Sequence, residues 1–166
     1  MRHLRVAVVG CGMSPVGAGL GSEIDGHDLV IRANRAYDTA GKEADWGCRT
    51  DVLCVGNLAI LQRFLPNPCP FEIVEVDKVW KGIWPHVRRP LTGTYAALHA
   101  SRLGATAITL YGIDLYADAP KVLNKAGPTV FKRHSGLPPN WRWSADLDRD
   151  ALLNLPCPVE WRLRRS

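Results

Sequence analysis

Five glycines follow an apolar run near the start of the chain, and this arrangement is typical of a loop that binds phosphate. The run Val6–Val9 shows no alternation of apolar and polar residues, as expected of a strand buried on both faces. The glycines stand at positions 10, 12, 17, 19 and 21, where the lack of Cβ atoms lets backbone N–H groups approach an anion. Asn34 ends the next apolar run and carries both a donor and an acceptor, which suits a nucleotide hydroxyl or phosphate. These residues predict a nucleotide site.

A dinucleotide site is the first alternative. Gly10-Cys11-Gly12 supplies the start of a GxGxxG pattern, but Pro15 stands where the third glycine is needed. The second strand ends in Arg32-Ala33-Asn34, without the acidic residue that binds the ribose diol of NAD. An oxidoreductase that binds NADP through Arg32 or Arg35 stays open as a further alternative.

Metal chemistry has two candidate signals, and both are weak. Asp146 and Asp148 form a DxD pattern, but in a helix residues two apart point to nearly opposite sides and cannot share one ion. We expect them instead to complement the dipole of a helix at its first turn. The five cysteines are scattered, odd in number and without a CxxC pair, which disfavours both a disulfide framework and a zinc site. We therefore expect no metal and no other cofactor.

Apolar runs and turn residues predict alternating strands and helices. Strands are predicted near 5–10, 28–33, 51–56, 71–76, 106–112 and 158–163. Helices are predicted from a cap at Asn57 to Pro66, from Thr94 to Leu103 with an end at Gly104, and from Ser144 to about Asn154. This order predicts an α/β fold of three layers, α/β/α, with a mainly parallel, Rossmann-like sheet. Ligands of such sheets bind beyond the carboxyl ends of the strands.

Size and composition limit the classes of protein to which the chain can belong. The 166 residues suggest one domain over 1–166, with 46% hydrophobic and 22% charged residues, as in a soluble globular protein. No apolar run reaches the length of a membrane span, and we expect a cytoplasmic protein. Residues 1–83 hold 9 Lys and Arg against 10 Asp and Glu, and residues 84–166 hold 12 against 6. The basic second half suits an anionic ligand or a peripheral contact with an anionic membrane surface. No motif accompanies it that would indicate nucleic acid.

Two stretches of the sequence resemble the motifs of the sialyltransferases, glycosyltransferase family 29. Residues 6–36 resemble the large sialylmotif, through Val8-Val9-Gly10, Gly19-Leu20-Gly21, Ile24-Asp25-Gly26-His27-Asp28 and Arg32-Ala33-Asn34-Arg35-Ala36. Glu43-Ala44-Asp45-Trp46-Gly47 is similar to the continuation of that motif. Pro90-Leu91-Thr92-Gly93 and Leu110-Tyr111-Gly112-Ile113 resemble the small sialylmotif, in the expected order.

The resemblance implies an enzyme that moves sialic acid, or a related Kdo-like keto-sugar acid, from a CMP-activated donor to a glycan or glycolipid acceptor. Transfer would be inverting and independent of metal. The donor-binding residues that it implies are Gly10, Cys11, Gly12, Ser14, Asn34, Arg35, Thr92, Gly93, Tyr111, Gly112 and Ile113.

His134 is the expected third element, because it follows the small motif and a histidine titrates near neutral pH. Its implied role is general base on the acceptor hydroxyl, or stabilisation of the departing phosphate. The surrounding segment 131–143 combines cations with tryptophans. Arg133, Trp141 and Trp143 are the acceptor-binding candidates there, and Lys132 and Arg142 add positive charge.

Several departures from the family pattern support a different reading. Cys11 stands where many members have a donor-binding asparagine, and Pro139 replaces the acid five residues after the histidine. A tyrosine-rich third motif is not visible between Leu115 and Arg133. The alternative is therefore a CMP- or nucleotide-binding module without turnover. The sequence leaves the oligomeric state open.

Overall fold

A six-stranded parallel sheet forms the centre of the molecule. The structure, a computed structural model, describes residues 3–83, 90–114, 121–124, 127–130 and 145–162. The strands of the sheet are β1 (Arg5–Val9), β2 (Leu29–Ala33), β3 (Val52–Val55), β4 (Glu72–Glu75), β5 (Ala107–Tyr111) and β8 (Val159–Arg162). They lie in the order β4-β3-β2-β1-β5-β8, and every neighbouring pair is parallel. All six are at the predicted positions, and the α/β fold class is confirmed.

Helices connect the strands. They are α1 (Gly21–Asp25), α2 (Glu43–Trp46), α3 (Leu58–Leu61), α4 (Val76–Ile83), α5 (Thr92–Arg102) and α6 (Ala145–Leu153), with 3₁₀ turns at Asn34–Tyr37 and Gln62–Phe64. A separate antiparallel hairpin joins β6 (Lys121–Asn124) to β7 (Gly127–Val130). The sequence analysis predicted no strands for this hairpin.

The two faces of β1 pack against different layers, as the unbroken apolar run predicted. Val6 and Val8 contribute to a core shared with α5, whereas Ala7 and Val9 face a smaller core shared with α1 and α2. All four residues are fully buried. Because neither face of this strand meets solvent, a polar side chain on either face would be buried, which explains the unbroken apolar run.

Helix α5 lies closely on the sheet because its inner side is made of small residues. Ala96, Ala97 and Ala100 are fully buried against the strands. The helix ends as predicted: Gly104 adopts a φ of +88°, and the Ala105 N–H donates to the Ala100 carbonyl at 3.1 Å. These are features of a Schellman end, in which glycine is favoured. The helix begins two residues earlier than predicted, at Thr92.

One detail of the predicted helices is wrong. Asn57 precedes α3 with an extended backbone, but its side chain makes no capping hydrogen bond, and the α-helix gives way to a 3₁₀ turn at Gln62. Asp148 lies in the first turn of α6, as predicted. It is 3% exposed and accepts a hydrogen bond from the Leu91 N–H at 3.0 Å. Its carboxylate therefore joins α6 to the start of α5.

All five cysteines are free thiols in the structure. Among the helices that the structure describes, none has the length and apolar character needed to cross a lipid bilayer.

Candidate nucleotide-binding site

The two sequence motifs meet between β1 and β5, where the strand order reverses and parallel sheets usually place their ligands. The Gly10 N–H donates to the Tyr111 carbonyl, and the Gly12 N–H to the Gly112 carbonyl, both at 2.8 Å. A Cβ atom on Gly10 would lie 2.5 Å from the Gly112 oxygen. Only glycine at position 10 allows this approach, so the glycine pattern of the first motif has a packing reason as well as any role in binding.

The start of α5 adjoins the same place. A Cβ atom on Gly93 would lie 2.6 Å from the Ile113 Cδ1 atom, and the same methyl group would lie 2.5 Å from a Cβ on Gly10. Ile113 is thus packed between the glycine-rich loop and the first turn of α5. The structure brings Gly10, Gly93, Gly112 and Ile113 together, all of which were predicted as site residues.

The glycine-rich loop already holds two anions, and both are carboxylates of the chain. Asp45 accepts hydrogen bonds from the N–H groups of Gly17 and Gly19, at 2.7 and 2.8 Å. Asp114 accepts from the Ser14 N–H at 3.1 Å and from the Ser14 hydroxyl at 2.6 Å. The predicted phosphate cradle is therefore occupied internally over much of its length. The sequence analysis did not predict that either acid would accept hydrogen bonds from the loop, although Asp45 belongs to a quoted motif and Asp114 follows β5 closely.

We expect Asp114→Ala to lower the free energy of unfolding by about 1–3 kcal/mol, because two donors of Ser14 lose their acceptor and Ser14 is 6% exposed. Urea denaturation followed by circular dichroism measures the change. Asp150→Ala is the matched control, since Asp150 is an exposed aspartate on α6. An Asp114 variant as stable as the control would show that the loop does not depend on this carboxylate.

The first turn of α5 lies at the same edge of the sheet. The Leu91 N–H donates to Asp148. Tyr95 is the first residue of the helix whose N–H makes the helical bond, and it donates to the Leu91 carbonyl. The N–H groups of Thr92 and Gly93 precede that bond, as in the first turn of any α-helix. N–H groups at a helix start, together with the helix dipole, favour an anion.

Asn34 adopts a strained backbone at the end of β2. Its φ is +52°, and its Oδ1 atom accepts a hydrogen bond from the Gly56 N–H at 3.0 Å. The Nδ2 group has no partner within the described part of the chain. Asparagine tolerates the left-handed conformation better than most residues. The side chain is thereby fixed by its oxygen, and its nitrogen remains available to donate.

Cys11 lies between the loop and the 3₁₀ turn that follows β2. Its thiol is 3.6 Å from the Ala33 carbonyl, and burial raises its pKa to about 11. The thiol is thus neutral at physiological pH.

Arg32 is a structural residue, which removes it from the NADP alternative. Its side chain is fully buried and donates to the carbonyl oxygens of Arg49, Ala36 and Trp46, at 2.8, 3.1 and 2.8 Å. A guanidinium that is enclosed and bound in this way cannot reach a ribose phosphate.

Tyr111 also has a core position. Its ring is fully buried edge-on to His27, and its hydroxyl donates to Glu23 at 2.8 Å. Arg162 donates to the same Glu23 oxygen at 2.9 Å, which links β8 to α1. The side chain of Tyr111 therefore stabilises the fold, and its backbone carbonyl accepts the hydrogen bond from the Gly10 N–H of the loop.

The remaining predicted residues lie outside the described residues: His134, Arg133, Trp141 and Trp143, together with Lys132 and Arg142. Among the described residues, no three His, Cys, Asp or Glu side chains are grouped so that they could hold a metal ion.

Comparisons with known proteins agree with the motifs. Residues 2–69 match the model of glycosyltransferase family 29 (sialyltransferase). The structure of a mammalian sialyltransferase matches with a TM-score of 0.54 and 19% identity, over 98% of this chain and 70% of that chain. A mammalian sialyltransferase in complex with Gal-beta-1-3GalNAc-ortho-nitrophenol matches with a TM-score of 0.55, at the same identity and coverage. No curated protein matches the chain.

The resemblance to the sialyltransferases is therefore confirmed, and the chain has a sialyltransferase-like fold. The family match covers the large motif, whereas the small motif at 90–113 lies beyond it. The solved structures, at 19% identity, show the likeness of the fold.

Proposed function

We propose that this chain transfers a sugar acid from a CMP-activated donor to a hydroxyl group of a glycan acceptor. The observation that carries the proposal is the meeting of both motifs at Ile113, against Gly10 on one side and Gly93 on the other. Residues far apart in the sequence thus meet beyond the carboxyl ends of the strands, where nucleotides bind in folds of this kind.

In this proposal the donor phosphate binds at the first turn of α5. The N–H groups of Thr92 and Gly93 point out of the helix start, and the helix dipole adds a partial positive charge there. The Asn34 Nδ2 group donates to a ribose hydroxyl or a phosphate oxygen. The glycine-rich loop shapes the wall of the donor site. Its donors on Ser14, Gly17 and Gly19 are already bound to Asp45 and Asp114.

Transfer proceeds by a single displacement. His134 removes the proton from the acceptor hydroxyl, whose oxygen forms a bond to the anomeric carbon of the sugar acid. The bond between that carbon and the phosphate oxygen breaks, and CMP leaves with the electron pair. Lys132, Arg133 and Arg142 offset the negative charge that develops on the phosphate. Trp141 and Trp143 stack on sugar faces of the acceptor. No metal takes part.

A nucleotide-binding module without turnover is the second candidate. Cys11 favours it, because a thiol replaces the asparagine of many family members and is 3.6 Å from a backbone carbonyl of this chain. In that case CMP binds but the donor is neither transferred nor hydrolysed.

The test is a thermal-shift panel with CMP, UDP, GDP and NADPH. We expect CMP at one hundred times its dissociation constant to raise the melting temperature by roughly 5–10 °C, because such binding stabilises the native state by about 2.7 kcal/mol. The other three nucleotides should have much smaller effects. A shift with NADPH and none with CMP would contradict the proposal.

A donor-hydrolysis assay with CMP-sialic acid then separates the two candidates. Release of CMP above the uncatalysed rate supports the transferase, and binding without release supports the module. The assay is repeated in EDTA with and without added Mg²⁺ or Mn²⁺. Activity that is lost in EDTA and restored by a divalent ion would overturn the metal-independent mechanism.

A further inference from the structure

The Asp114 carboxylate lies against the second glycine of the glycine-rich loop. In dinucleotide-binding folds the glycine at this place lets the backbone approach the pyrophosphate. Here a Cβ atom on Gly12 would lie 2.4 Å from the Asp114 Oδ2 atom, so the carboxylate takes up that space. We propose that Asp114 excludes a second phosphate from the loop and thereby makes the site selective for a nucleoside monophosphate over a diphosphate. The inference rests on the proposed function and adds to it a residue that determines specificity.

Hydrogen bonds fix the Asp114 carboxylate in this position. Ser14 donates to it twice, through its N–H to Oδ2 at 3.1 Å and through its hydroxyl to Oδ1 at 2.6 Å. The same hydroxyl accepts a hydrogen bond from the Gly112 N–H at 3.1 Å. Hydrogen bonds to an ionised acceptor are stronger than those between neutral groups, and Ser14 is almost fully buried. A phosphate would have to displace the carboxylate from these donors before it could use them.

A second carboxylate closes the outer part of the loop. Asp45 accepts hydrogen bonds from the N–H groups of Gly17 and Gly19, whose φ angles are +73° and +65°. Successive N–H groups in such turns form a concave site for an anion, and in this chain the anion is a side chain. Among the ion pairs of the described residues, none includes Asp45 or Asp114. A second phosphate would therefore meet two carboxylates as well as donors that are already bound.

The helix that follows the loop does not offer a replacement site. In dinucleotide-binding folds the pyrophosphate binds at the N-terminus of that helix. Here α1 runs only from Gly21 to Asp25, and five residues sum few peptide dipoles. The longer helix α5, at which the single phosphate binds in the proposed function, has 11 residues. The chain thus has one favourable helix start for one phosphate.

Calorimetry with CMP and CDP tests the inference, because these nucleotides share base and ribose and differ by one phosphate. We expect the wild type to bind CMP about tenfold or more tightly than CDP, since like charges brought together strongly disfavour binding. Asp114→Asn keeps an oxygen that can accept from the Ser14 hydroxyl but removes the charge. It should strengthen CDP binding until the two affinities lie within about threefold, with CMP binding changed by no more than about twofold. The titrations contain EDTA, because a divalent ion would neutralise part of the diphosphate charge.

Asp28→Asn is the matched control. The Asp28 carboxylate also accepts a backbone N–H, that of Arg5 at 2.8 Å, but Asp28 precedes β2 at the opposite edge of the sheet. It should leave the ratio of the two affinities unchanged. Asp45→Asn should move the ratio in the same direction as Asp114→Asn, and it keeps the test open if the Asp114 variant does not fold.

Two results would overturn the exclusion of a second phosphate while CMP binding stands. One is equal affinity of the wild type for CMP and CDP. The other is a wild-type ratio in every folded variant that lacks a loop carboxylate. If the wild-type protein fails to bind CMP, the proposed function itself is overturned.

Discussion

Replacement of Arg32 by methionine should lower the free energy of unfolding by about 3–5 kcal/mol, the cost typical of removing one partner from a buried ionic network. Arg32 is fully buried and donates to three backbone carbonyls, which in the variant would remain enclosed without donors. These carbonyls belong to the 3₁₀ turn after β2, to the end of α2 and to the segment before β3. Urea denaturation, monitored by far-ultraviolet circular dichroism, measures the loss.

Arg5→Met is the matched control for this prediction. The Arg5 side chain is 60% exposed, and its Nε atom lies 3.6 Å from Asp28. Exposed ion pairs contribute about 0–1 kcal/mol, so the control should change little. An Arg32 variant that loses no more stability than the Arg5 variant would show that the buried guanidinium does not hold these elements together.

The pH dependence gives a second readout for Arg32. Burial raises the pKa of Asp25, but hydrogen bonds from the N–H groups of Cys48 and Arg49 and the charge of Arg32, 3.8 Å away, outweigh it and lower that pKa. A lowered folded-state pKa stabilises the protein above the ordinary value of 3.8, and this contribution is lost as the pH falls through the folded value. The stability difference between wild type and Arg32→Met should therefore shrink in acid.

The sequence predicts the sheet well because a buried parallel strand has an unmistakable pattern. Val6–Val9 must lie between two layers, and Gly104 must end a helix where φ is positive. The partners of the polar residues are much harder to predict. Asp114 meets Ser14 one hundred positions away in the sequence, and Asp148 meets Leu91 across 57. Such pairs depend on how the layers pack, which no local pattern specifies.

The same distinction explains which site residues the sequence identified. Gly10, Gly93 and Ile113 were found because motifs of a known family contain them, and the structure places them in contact. Arg32 stands two positions before Asn34 in the same motif and was considered as a phosphate ligand, yet the structure buries it. A motif identifies residues that a family requires, but it does not say whether a residue is required for binding or for folding. The contacts of the side chain in the structure distinguish the two.

His134→Ala should reduce the rate of transfer about 10²- to 10⁴-fold, the range that a general base contributes. CMP affinity and melting temperature should remain near the wild-type values, because the base acts on the acceptor hydroxyl and not on the nucleotide. The measurement is the initial rate of transfer from CMP-sialic acid to a galactose-terminated acceptor, for the wild type and the variant, at saturating donor.

The pH profile decides between a base and a charge-stabilising role for His134. A general base must be neutral before it accepts a proton, so activity should rise as the pH increases and the histidine loses its proton, and the variant should lose that step. A histidine that stabilises the leaving phosphate must be protonated, so activity should instead fall as the pH increases. His3→Ala is the control, since His3 is exposed near the chain start. If the His134 variant transfers as fast as this control, His134 has neither role, and the base is another group.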